Sequence, residues 1–330
     1  MKPKMLAVEL WGMGDLVLAT PFLRAATPLF EVALLARPLA LELQPRLWPG
    51  VEVIPFEFPW TAFRVREKYV LTRWPWRQLA RLAGELRRRR FDLGISARWD
   101  PRDHALLWLS RAGRRAGFPR VGSELLLTER LALPPAAAHR YENWRVLGRH
   151  LGMELPPQKE AAPAAGRRGG AVVHSGAAQP ARVWPLERFA FLVNQLRREG
   201  HAVEVVCDAR QREWWTGQGE KARAPGTIAE LLAILDGAGL FVGNDSGPGH
   251  LAGILGIPTF TLFGNQLSSR FAPLGPQAEW MEGSDCVYKP CHDACRFASP
   301  ECLWATGENE AWLKLKNFAA KHLNAAAPSK

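Results

Sequence analysis

Residues 240–263, LFVGNDSGPGHLAGILGIPTFTLF, contain the pattern that decides the fold. Two short apolar runs, 240–243 and 259–263, flank a glycine-rich turn and a helix-length segment at 249–255. Two strands joined through one helix form a parallel β-α-β unit, in which the strands lie in the core and the helix covers them. This stretch therefore predicts an α/β fold with a parallel sheet.

The same alternation continues on both sides of this stretch. We predict further strands at 5–9, 32–36, 93–96, 171–174 and 202–207, and helices at 15–26, 77–90, 186–198 and 228–236. A last segment, 308–323, has Trp312, Leu315 and Phe318 near helical spacing and is predicted to be a helix that docks back on the fold.

The length of 330 residues suits two domains, each of which can bury its own core. Residues 156–170 are rich in proline, alanine and glycine and are predicted to be a linker. We therefore expect Rossmann-like domains at 1–155 and 171–330.

The charge of the chain is concentrated in its first half. Residues 1–165 contain 26 Lys and Arg against 16 Asp and Glu, whereas residues 166–330 contain 17 against 16. Such a surplus indicates a polyanionic partner. No apolar run approaches the ~18 residues that a membrane-spanning helix needs, and residues 1–8 lack the features of a signal peptide. These features predict a cytoplasmic protein.

The first predicted strand ends in a turn with Gly12, Gly14 and Asp15. Glycines at this place let a ligand approach the backbone, and the following helix N-terminus favours anions. A dinucleotide site of the NAD type is not indicated, because Val17 stands where a third glycine is needed. Asp15 has two readings, as a helix cap or as a general base that takes a proton from a sugar hydroxyl.

Two turns in the second half have residues suited to a diphosphate. After the strand at 171–174 come Ser175 and Gly176, with Arg182 close behind, so that backbone amides, a hydroxyl and a cation are available. The alternative is an ordinary strand-to-helix loop. The second turn is the glycine-rich one quoted above, which places Asp245, Ser246, Gly247 and His250 at the carboxyl end of a strand, where open α/β sheets bind ligands.

Taken together, these stretches resemble glycosyltransferase family 9, the lipopolysaccharide heptosyltransferases, which have the two-domain GT-B fold. The first signature is matched by Gly12, Gly14, Asp15, Val17, Leu18, Ala19, Thr20, Pro21, Leu23 and Arg24, and a basic residue before Trp-Pro is matched by Arg182, Trp184 and Pro185. The second signature is matched by Asp245, Ser246, Gly247, His250, Leu251, Ala252, Gly256, Pro258, Thr259, Phe263 and Gly264.

The resemblance implies that the two domains face each other across a cleft and that the reaction inverts the sugar carbon. The N-terminal domain is expected to bind an acidic glycolipid acceptor, with Asp15 as the catalytic base and with Gly12 and Gly14 at the acceptor. Arg98 and Arg102 belong to the basic surplus of the first half and are expected to meet phosphates or carboxylates of the acceptor. The C-terminal domain is expected to bind a nucleotide sugar, an ADP-heptose, through Ser175, Gly176, Arg182, Glu213, Asp245, Ser246, Gly247 and His250.

Two details refine this expectation. Arg182 stands where the family commonly has a lysine, and Glu213 is the residue predicted to contact the ribose, with Asp208 as the second choice. The chain has no Asp-x-Asp motif, so the resemblance predicts a reaction without a cofactor or a catalytic metal.

Residues 64–90 combine ten Lys and Arg with Tyr69, Trp74 and Trp76. This composition suits the anionic inner face of a membrane, on which the protein would be peripheral, and a solvated helix face is the alternative. A nucleic-acid partner is not predicted, because no nucleic-acid-binding module accompanies the basic residues.

Four of the five cysteines, Cys286, Cys291, Cys295 and Cys302, cluster near the end of the chain. Their spacing is not that of paired Cys-x-x-Cys zinc knuckles. A structural metal, disulfides and simple burial all stay open.

Three other functions remain as alternatives. A nucleotide-sugar-binding protein without transferase activity and a transferase for another sugar would keep the same site. A nucleotide-sugar epimerase of the same fold would need additional acid/base carboxylates, which no motif marks.

Overall fold

The computed structural model describes residues 1–61, 72, 74–164, 169–291 and 295–323. The chain divides into two compact units, Met1–Pro156 and Pro157–Lys330. The residues expected to be a linker, so far as they are described, fall in the second unit apart from Pro156. In the described residues no helix is long and apolar enough to span a bilayer.

The first unit is built on a six-stranded sheet with the order β3-β2-β1-β4-β5-β6, and all its strand pairs are parallel. The strands are β1 (Lys4–Glu9), β2 (Glu31–Ala36), β3 (Glu52–Pro55), β4 (Leu93–Ser96), β5 (Arg114–Gly117) and β6 (Glu129–Arg130). The helices are α1 (Met13–Leu18), α2 (Thr20–Ala26), α3 (Ala40–Leu47), α4 (Trp76–Arg89), α5 (Pro101–Leu109) and α6 (Glu142–His150).

Apolar runs explain why β1 and β4 form the centre of this sheet. Every residue of β1 after Lys4, and every residue of β4, is buried. Strands covered on both faces are typical of parallel sheets. The core of this unit contains Leu6, Leu35 and Leu107.

The second unit has a five-stranded parallel sheet with the order β11-β10-β9-β7-β8. The strands are β7 (Ala171–His174), β8 (Val203–Val206), β9 (Leu240–Asn244), β10 (Thr259–Phe263) and β11 (Ala278–Glu282). The helices are α7 (Leu186–Arg198), α8 (Arg212–Gly217), α9 (Ile228–Asp236), α10 (Gly247–Ile254), α11 (Ser268–Phe271), α12 (Glu301–Trp304) and α13 (Glu308–His322).

The C-terminal helix α13 packs on α7 and β11 of the second unit. Leu315, Phe318 and Ala319 on this helix are buried in the same core as Phe189 and Phe260. The prediction of a docking helix is therefore confirmed within this unit.

Each sheet contains one point at which the strand order reverses direction. In the first sheet β2 and β4 lie on opposite sides of β1, and in the second sheet β8 and β9 lie on opposite sides of β7. Loops that leave the carboxyl ends of the two strands at such a point diverge, and this opens a crevice for ligands. The reversal points direct attention to the loops after β1 and β4, and to those after β7 and β9.

Most predicted elements are confirmed, and several were missed. The bounds of β4, β7, β10, α7 and α9 match the predicted ranges. The single helix predicted at 15–26 is two helices, because Pro21 near the start of α2 lacks the N–H that a continuous helix needs. The missed elements include β3, β11, α3, α5 and α6.

Candidate functional site

Asp15 lies in the first turn of α1, six residues after the end of β1. The residue that caps this helix is Gly12, and no side chain makes a capping hydrogen bond. The Asp15 carboxylate instead accepts a hydrogen bond from Nη1 of Arg98, 3.0 Å from its Oδ1 atom. The geometry therefore does not support the reading of Asp15 as a helix cap.

Arg98 follows β4, the strand on the other side of the reversal point. Its guanidinium lies over the ring of Trp11, 4.5 Å from the centroid, and its backbone oxygen is 3.2 Å from Nε2 of His104. The ring of Trp11 thus supports the cation while it contacts Asp15, and His104 holds the backbone of Arg98. The two loops at the reversal point meet through this ion pair.

Arg140, which the sequence analysis did not identify, completes the cluster. Its Nη1 donates to the backbone oxygen of Ala97 at 2.7 Å, and its Nε lies 3.7 Å from Oδ1 of Asp15. Its Nη2 lies 3.8 Å from Oε2 of Glu9, and the side chain is 5% exposed. Burial and the neighbouring Arg98 lower the pKa of Arg140 to about 10. No local motif marks this residue, because it is distant in sequence from both carboxylates.

Two further carboxyl groups are buried beside this cluster. Burial, together with repulsion from Asp15, raises the pKa of Glu9 to about 7. Burial, followed by repulsion from Asp100, raises the pKa of Asp103 to about 8, and Asp103 accepts a hydrogen bond from Oγ of Ser96. Both groups are therefore able to hold a proton near neutral pH.

An open pocket of about 490 Å³ adjoins the cluster, and Arg98, Trp99, Arg102, Arg120 and Arg140 are among its lining residues. Arg102 binds Asp100 through two hydrogen bonds, 2.9 and 2.6 Å long, and so is partly neutralised. Four arginines around one pocket suit an anionic ligand.

The two glycines of this turn differ in what the structure shows of them. A Cβ atom added at Gly12 would meet nothing within 4 Å, so the space beside this turn is open. Gly14 lies within α1, next to Asp15. The open space at Gly12 leaves room for the close backbone approach that was predicted.

In the second unit, three of the residues predicted for the donor, Arg182, Asp245 and His250, lie together. Nη1 of Arg182 donates to Oδ2 of Asp245 at 3.0 Å, and Nε2 of His250 lies 4.0 Å from Oδ1 of the same carboxylate. The side chains of Asp245 and His250 are 4% and 8% exposed, whereas that of Arg182 is 26% exposed. Arg182 is thus the exposed member of the group.

Ser246 and Gly247 form the start of α10. Ser246 occupies the cap position, but its side chain makes no capping hydrogen bond. Its Oγ atom is buried and has no hydrogen-bond partner in the described part of the chain. A buried hydroxyl without a partner is costly, and a ligand oxygen would satisfy it.

Ser175 does not have the predicted geometry of a phosphate ligand. Its hydroxyl is fully buried, donates to Oε1 of Gln211 at 2.9 Å and accepts from Nε1 of Trp215 at 3.0 Å. Both of these contacts fix the loop to α8 and to the turn before it. The structure thus gives the Ser175 side chain a structural role.

A neighbouring carboxylate leaves no space for a side chain at Gly176. A Cβ atom at this position would lie 2.3 Å from Oδ1 of Asp208, so a larger residue would displace that side chain. Oδ2 of Asp208 accepts a hydrogen bond from the backbone N–H of Ala177 at 3.2 Å. The loop after β7 is therefore pinned to the end of β8.

Asn244, which had no predicted role, connects the loops of this unit. Its Nδ2 donates to the backbone oxygen of Ser175 at 2.9 Å, and its Oδ1 accepts from the backbone N–H of Trp184 at 3.1 Å. The side chain is fully buried. The end of β9 thus holds the loop after β7 and the segment that carries Arg182.

The structure favours Asp208 over Glu213 beside this loop. Glu213 is exposed on α8, and no contact between it and the loop is recorded within the described chain. Asp208 follows β8 directly and lines an open pocket of about 570 Å³ together with Trp184, Gln211 and Trp304. The physical reason is that the carboxyl ends of parallel strands meet at one edge of a sheet, where Asp208 lies, whereas Glu213 is in the first turn of the next helix, α8.

The four clustered cysteines line one pocket of about 290 Å³, and all five cysteines of the chain are free thiols. Burial raises the pKa of the Cys302 thiol, with Cys286 and Cys291 as further contributors. No group of three or more metal-binding side chains is found in the described residues, which leave out 292–294 between Cys291 and Cys295.

The basic segment predicted as a membrane interface lies partly outside the described residues, which resume at 72 and 74. In the described part, the ring of Trp74 packs on that of Trp76 at a centroid distance of 5.4 Å, and on that of Trp60, which precedes the segment, at 5.1 Å. Trp76 is 54% exposed.

Comparison with known proteins gives a family match. The sequence profile of glycosyltransferase family 9 (heptosyltransferase) matches residues 79–298, which is two thirds of the chain. The chain is 33% identical over 107 residues to lipopolysaccharide heptosyltransferase 3 of Escherichia coli K12. That alignment spans 28% of this chain and 30% of the relative, so the chain matches about a third of the relative's length.

The fold is similar to that of solved structures over nearly its whole length. A family 9 glycosyltransferase from Veillonella parvula has a TM-score of 0.76 at 17% identity, covering 97% of this chain and 98% of that one. E. coli heptosyltransferase WaaC with ADP has a TM-score of 0.73 at 19% identity, covering 96% and 100%. E. coli ADP-heptose heptosyltransferase II has a TM-score of 0.72 at 17% identity, covering 96% and 99%. These similarities confirm the predicted fold class.

Proposed function

Because the chain belongs to glycosyltransferase family 9, the heptosyltransferase family, we propose that it transfers a heptose-type sugar from an ADP-linked donor to an acidic glycolipid of the lipopolysaccharide-core type. The observation that carries this proposal is the pair of polar clusters at the two strand-order reversals. One cluster has a carboxylate held by arginines, and the other has a cation suited to a diphosphate.

The first unit binds the acceptor. The four arginines of its pocket meet the acidic groups of the acceptor, and the Asp15 carboxylate lies beside them. Arg98 occupies Oδ1 of Asp15, which leaves Oδ2 for the acceptor hydroxyl. Asp15 takes the hydroxyl proton as general base.

The second unit binds the donor. Arg182 and the N-terminus of α10 stabilise the negative charge of the diphosphate, and Oγ of Ser246 donates to one of its oxygens. Asp208, at the rim of the pocket that Trp304 also lines, accepts a hydrogen bond from the ribose. Ser175 and Gly176 act through the shape of their loop.

The reaction forms one bond and breaks one bond. The acceptor oxygen attacks the sugar carbon, while the bond from that carbon to the diphosphate oxygen breaks and the electron pair stays with ADP. The acceptor proton passes to Asp15, and the configuration at the sugar carbon is inverted. We place this reaction in the cytoplasm, at the inner face of the membrane, where a glycolipid is accessible.

The first test compares ADP, UDP and GDP as ligands of the full chain by thermal stabilisation. We expect selective stabilisation by ADP, lost in Asp245→Ala and kept in Asp15→Ala. Release of ADP from ADP-heptose in the presence of a lipopolysaccharide-core acceptor is then measured for the same proteins. Asp15→Ala is expected to bind ADP and to lack transfer.

Each failure has a distinct meaning. No stabilisation by any of the three nucleotides, with the protein folded, would refute the proposal as a whole. Nucleotide binding without transfer to any acidic core acceptor would indicate the non-catalytic binding protein. Stabilisation by UDP or GDP alone would indicate a transferase for another sugar.

A further inference from the structure

A second cationic pocket lies in the first unit, where the last turn of α4 meets the end of α5. Its volume is about 330 Å³, and its lining consists of Arg87, Trp108, Arg111, Ala112, Gly113 and Arg115. Three arginines and no acidic residue line it. None of these residues lines the arginine pocket beside Asp15, so we name this separate pocket the headgroup pocket.

Backbone carbonyls, which carry no net charge, hold two of the three arginines in place. Nε of Arg87 donates to the backbone oxygen of Leu109 at 3.0 Å. Nε and Nη1 of Arg115 donate to the backbone oxygens of Leu126 and Ala112, both at 2.8 Å. The guanidinium groups are thereby oriented without being neutralised.

The acids near this region are engaged elsewhere. Glu129 binds Arg114 and His150, and Oδ2 of Asp92 accepts from the backbone N–H of Lys4. Within the described chain, no ion pair to an acid is found for Arg87, Arg111 or Arg115. No carboxylate therefore offsets the positive charge of the headgroup pocket, whereas Glu129 offsets that of the adjacent Arg114.

The rim of the headgroup pocket has an exposed aromatic ring, Trp108, next to an exposed arginine, Arg111. Trp108 is 53% exposed, although moving a tryptophan ring out of water is favourable. Arg111 has a φ of 58°, in the left-handed region that commonly ends a helix, and it follows Ser110, the residue that caps the end of α5. The backbone N–H of Arg111 donates to the backbone oxygen of Trp108 at 3.0 Å, so the two residues lie side by side at the end of α5.

We propose that the headgroup pocket binds the phosphate of an anionic phospholipid and docks the first unit on a membrane. Arginines are suited to phosphate oxygens, and an exposed tryptophan beside them is typical of a protein surface at headgroup depth. The exposed arginines of α4, Arg77, Arg81 and Arg88, add charge on the same unit. This inference deepens the proposed function, since a glycolipid acceptor is presented at such a surface, but it does not depend on which sugar is transferred.

The test is cosedimentation of the full chain with vesicles of phosphatidylglycerol and phosphatidylcholine, with pure phosphatidylcholine vesicles as the reference. We expect binding to the anionic vesicles only. The double variant Arg87→Gln/Arg111→Gln is expected to weaken this binding about tenfold or more, since each arginine adds its own electrostatic attraction to the anionic surface. Trp108→Ala is expected to weaken it further.

The matched control is Arg130→Gln/Arg149→Gln, which removes the same charge from exposed arginines of the same unit that do not line the headgroup pocket. Equal losses in the two double variants would overturn the proposal, because the binding would then depend on net charge alone. Absence of binding by the unaltered chain would also overturn it. A third result would also overturn the proposal: inorganic phosphate stabilises the chain through Arg87 and Arg111, but the chain binds no vesicles. The pocket would then bind free phosphate.

Two readouts separate this proposal from the proposed function. The melting temperature and the stabilisation by ADP are expected to be the same in the headgroup-pocket variant and the unaltered chain. Vesicle binding that depends on the pocket, in a chain that binds no nucleotide, would refute the transferase proposal and leave the headgroup pocket in place.

Discussion

Nη1 of Arg98 lies 3.0 Å from Oδ1 of Asp15, and the two residues come from the loops on either side of the strand-order reversal in the first sheet. The ion pair is partly exposed, with 24% of the Arg98 side chain and 25% of the Asp15 side chain accessible. Arg140 approaches the same oxygen from the buried side, at 3.7 Å. The orientation of this carboxylate is therefore fixed before any ligand binds.

We expect Arg98→Gln to lower the turnover number about tenfold or more without changing the affinity for ADP. The reason is that Asp15, the proposed general base, loses the partner that orients it, and small misplacements of a catalytic group are costly. Turnover and ADP affinity are measured side by side. Arg89→Gln, which removes an arginine paired with Glu52 and Glu85 in the same unit, is the control. Unchanged turnover in Arg98→Gln would show that Asp15 needs no such partner.

We expect Arg182→Gln to weaken ADP binding roughly tenfold to a hundredfold, because a hydrogen bond to a charged group contributes about 1.5–3 kcal/mol. Arg182→Lys keeps the charge and is expected to lose less. Isothermal titration with ADP measures both. Arg197→Gln, which breaks a surface pair with Glu220, is the control for the lost charge. Equal affinities for ADP in the unaltered chain and the three variants would show that Arg182 does not bind the diphosphate.

We expect Asn244→Asp to weaken ADP binding and to destabilise the fold by about 1–3 kcal/mol. The new carboxylate still accepts the hydrogen bond from the backbone N–H of Trp184. It cannot donate to the backbone oxygen of Ser175, so two oxygen acceptors then face each other where Asn244 has a hydrogen bond. Urea unfolding and titration with ADP provide the two measurements. Asn194→Asp, at an exposed position on α7, is the matched control. A variant with normal stability and normal ADP affinity would show that the loops hold their arrangement without Asn244.

The buried carboxyl groups predict how stability changes with pH. The pKa of Glu9 is about 7 in the native state, whereas that of a glutamate without these interactions is 4.5. The native state therefore keeps a proton that the unfolded state releases. Stability then falls as pH rises through this window, by about 3 kcal/mol at most from Glu9. The pKa of Asp103 is raised from 3.8 to about 8, so ionisation of Asp103 also lowers stability as pH rises through that range.

Glu9→Gln should therefore gain stability relative to the unaltered chain as pH rises from about 5 to 8. Urea unfolding at several pH values measures this difference, and Glu154→Gln, at an exposed position, is the control. A difference that stays constant with pH would mean that Glu9 is ionised throughout that range.

The sequence predicted the central strands and several helices because their signals are local. The apolar runs of β7 and β10 and the amphipathic pattern of α7 are complete within a few residues. Strand β11, with the sequence AEWME, was missed because only Met281 in it is fully buried, so it lacks an apolar run. A peripheral strand is held by its pairing with β10, which no local pattern shows.

The site was predictable to the extent that its residues follow strands in recognisable motifs. Asp15, Arg182 and Asp245 were identified in this way, whereas Arg98 was named only among the basic residues of the first half. The structure pairs Asp15 with Arg98 and Arg182 with Asp245. Arg140 was missed because it reaches its carboxylates from a segment more than a hundred residues later in the chain. Packing alone brings such residues together.

The strand-order reversal occurs separately in each sheet, and every contact described for a cluster is made within its own unit. A mutation in one cluster therefore need not disturb the other through direct contact. If the first unit binds the acceptor and the second the donor, as proposed, such independence allows the two specificities to diverge at different rates among relatives. It also makes hybrid proteins, with the first unit of one family member and the second unit of another, a rational way to combine an existing donor preference with a new acceptor.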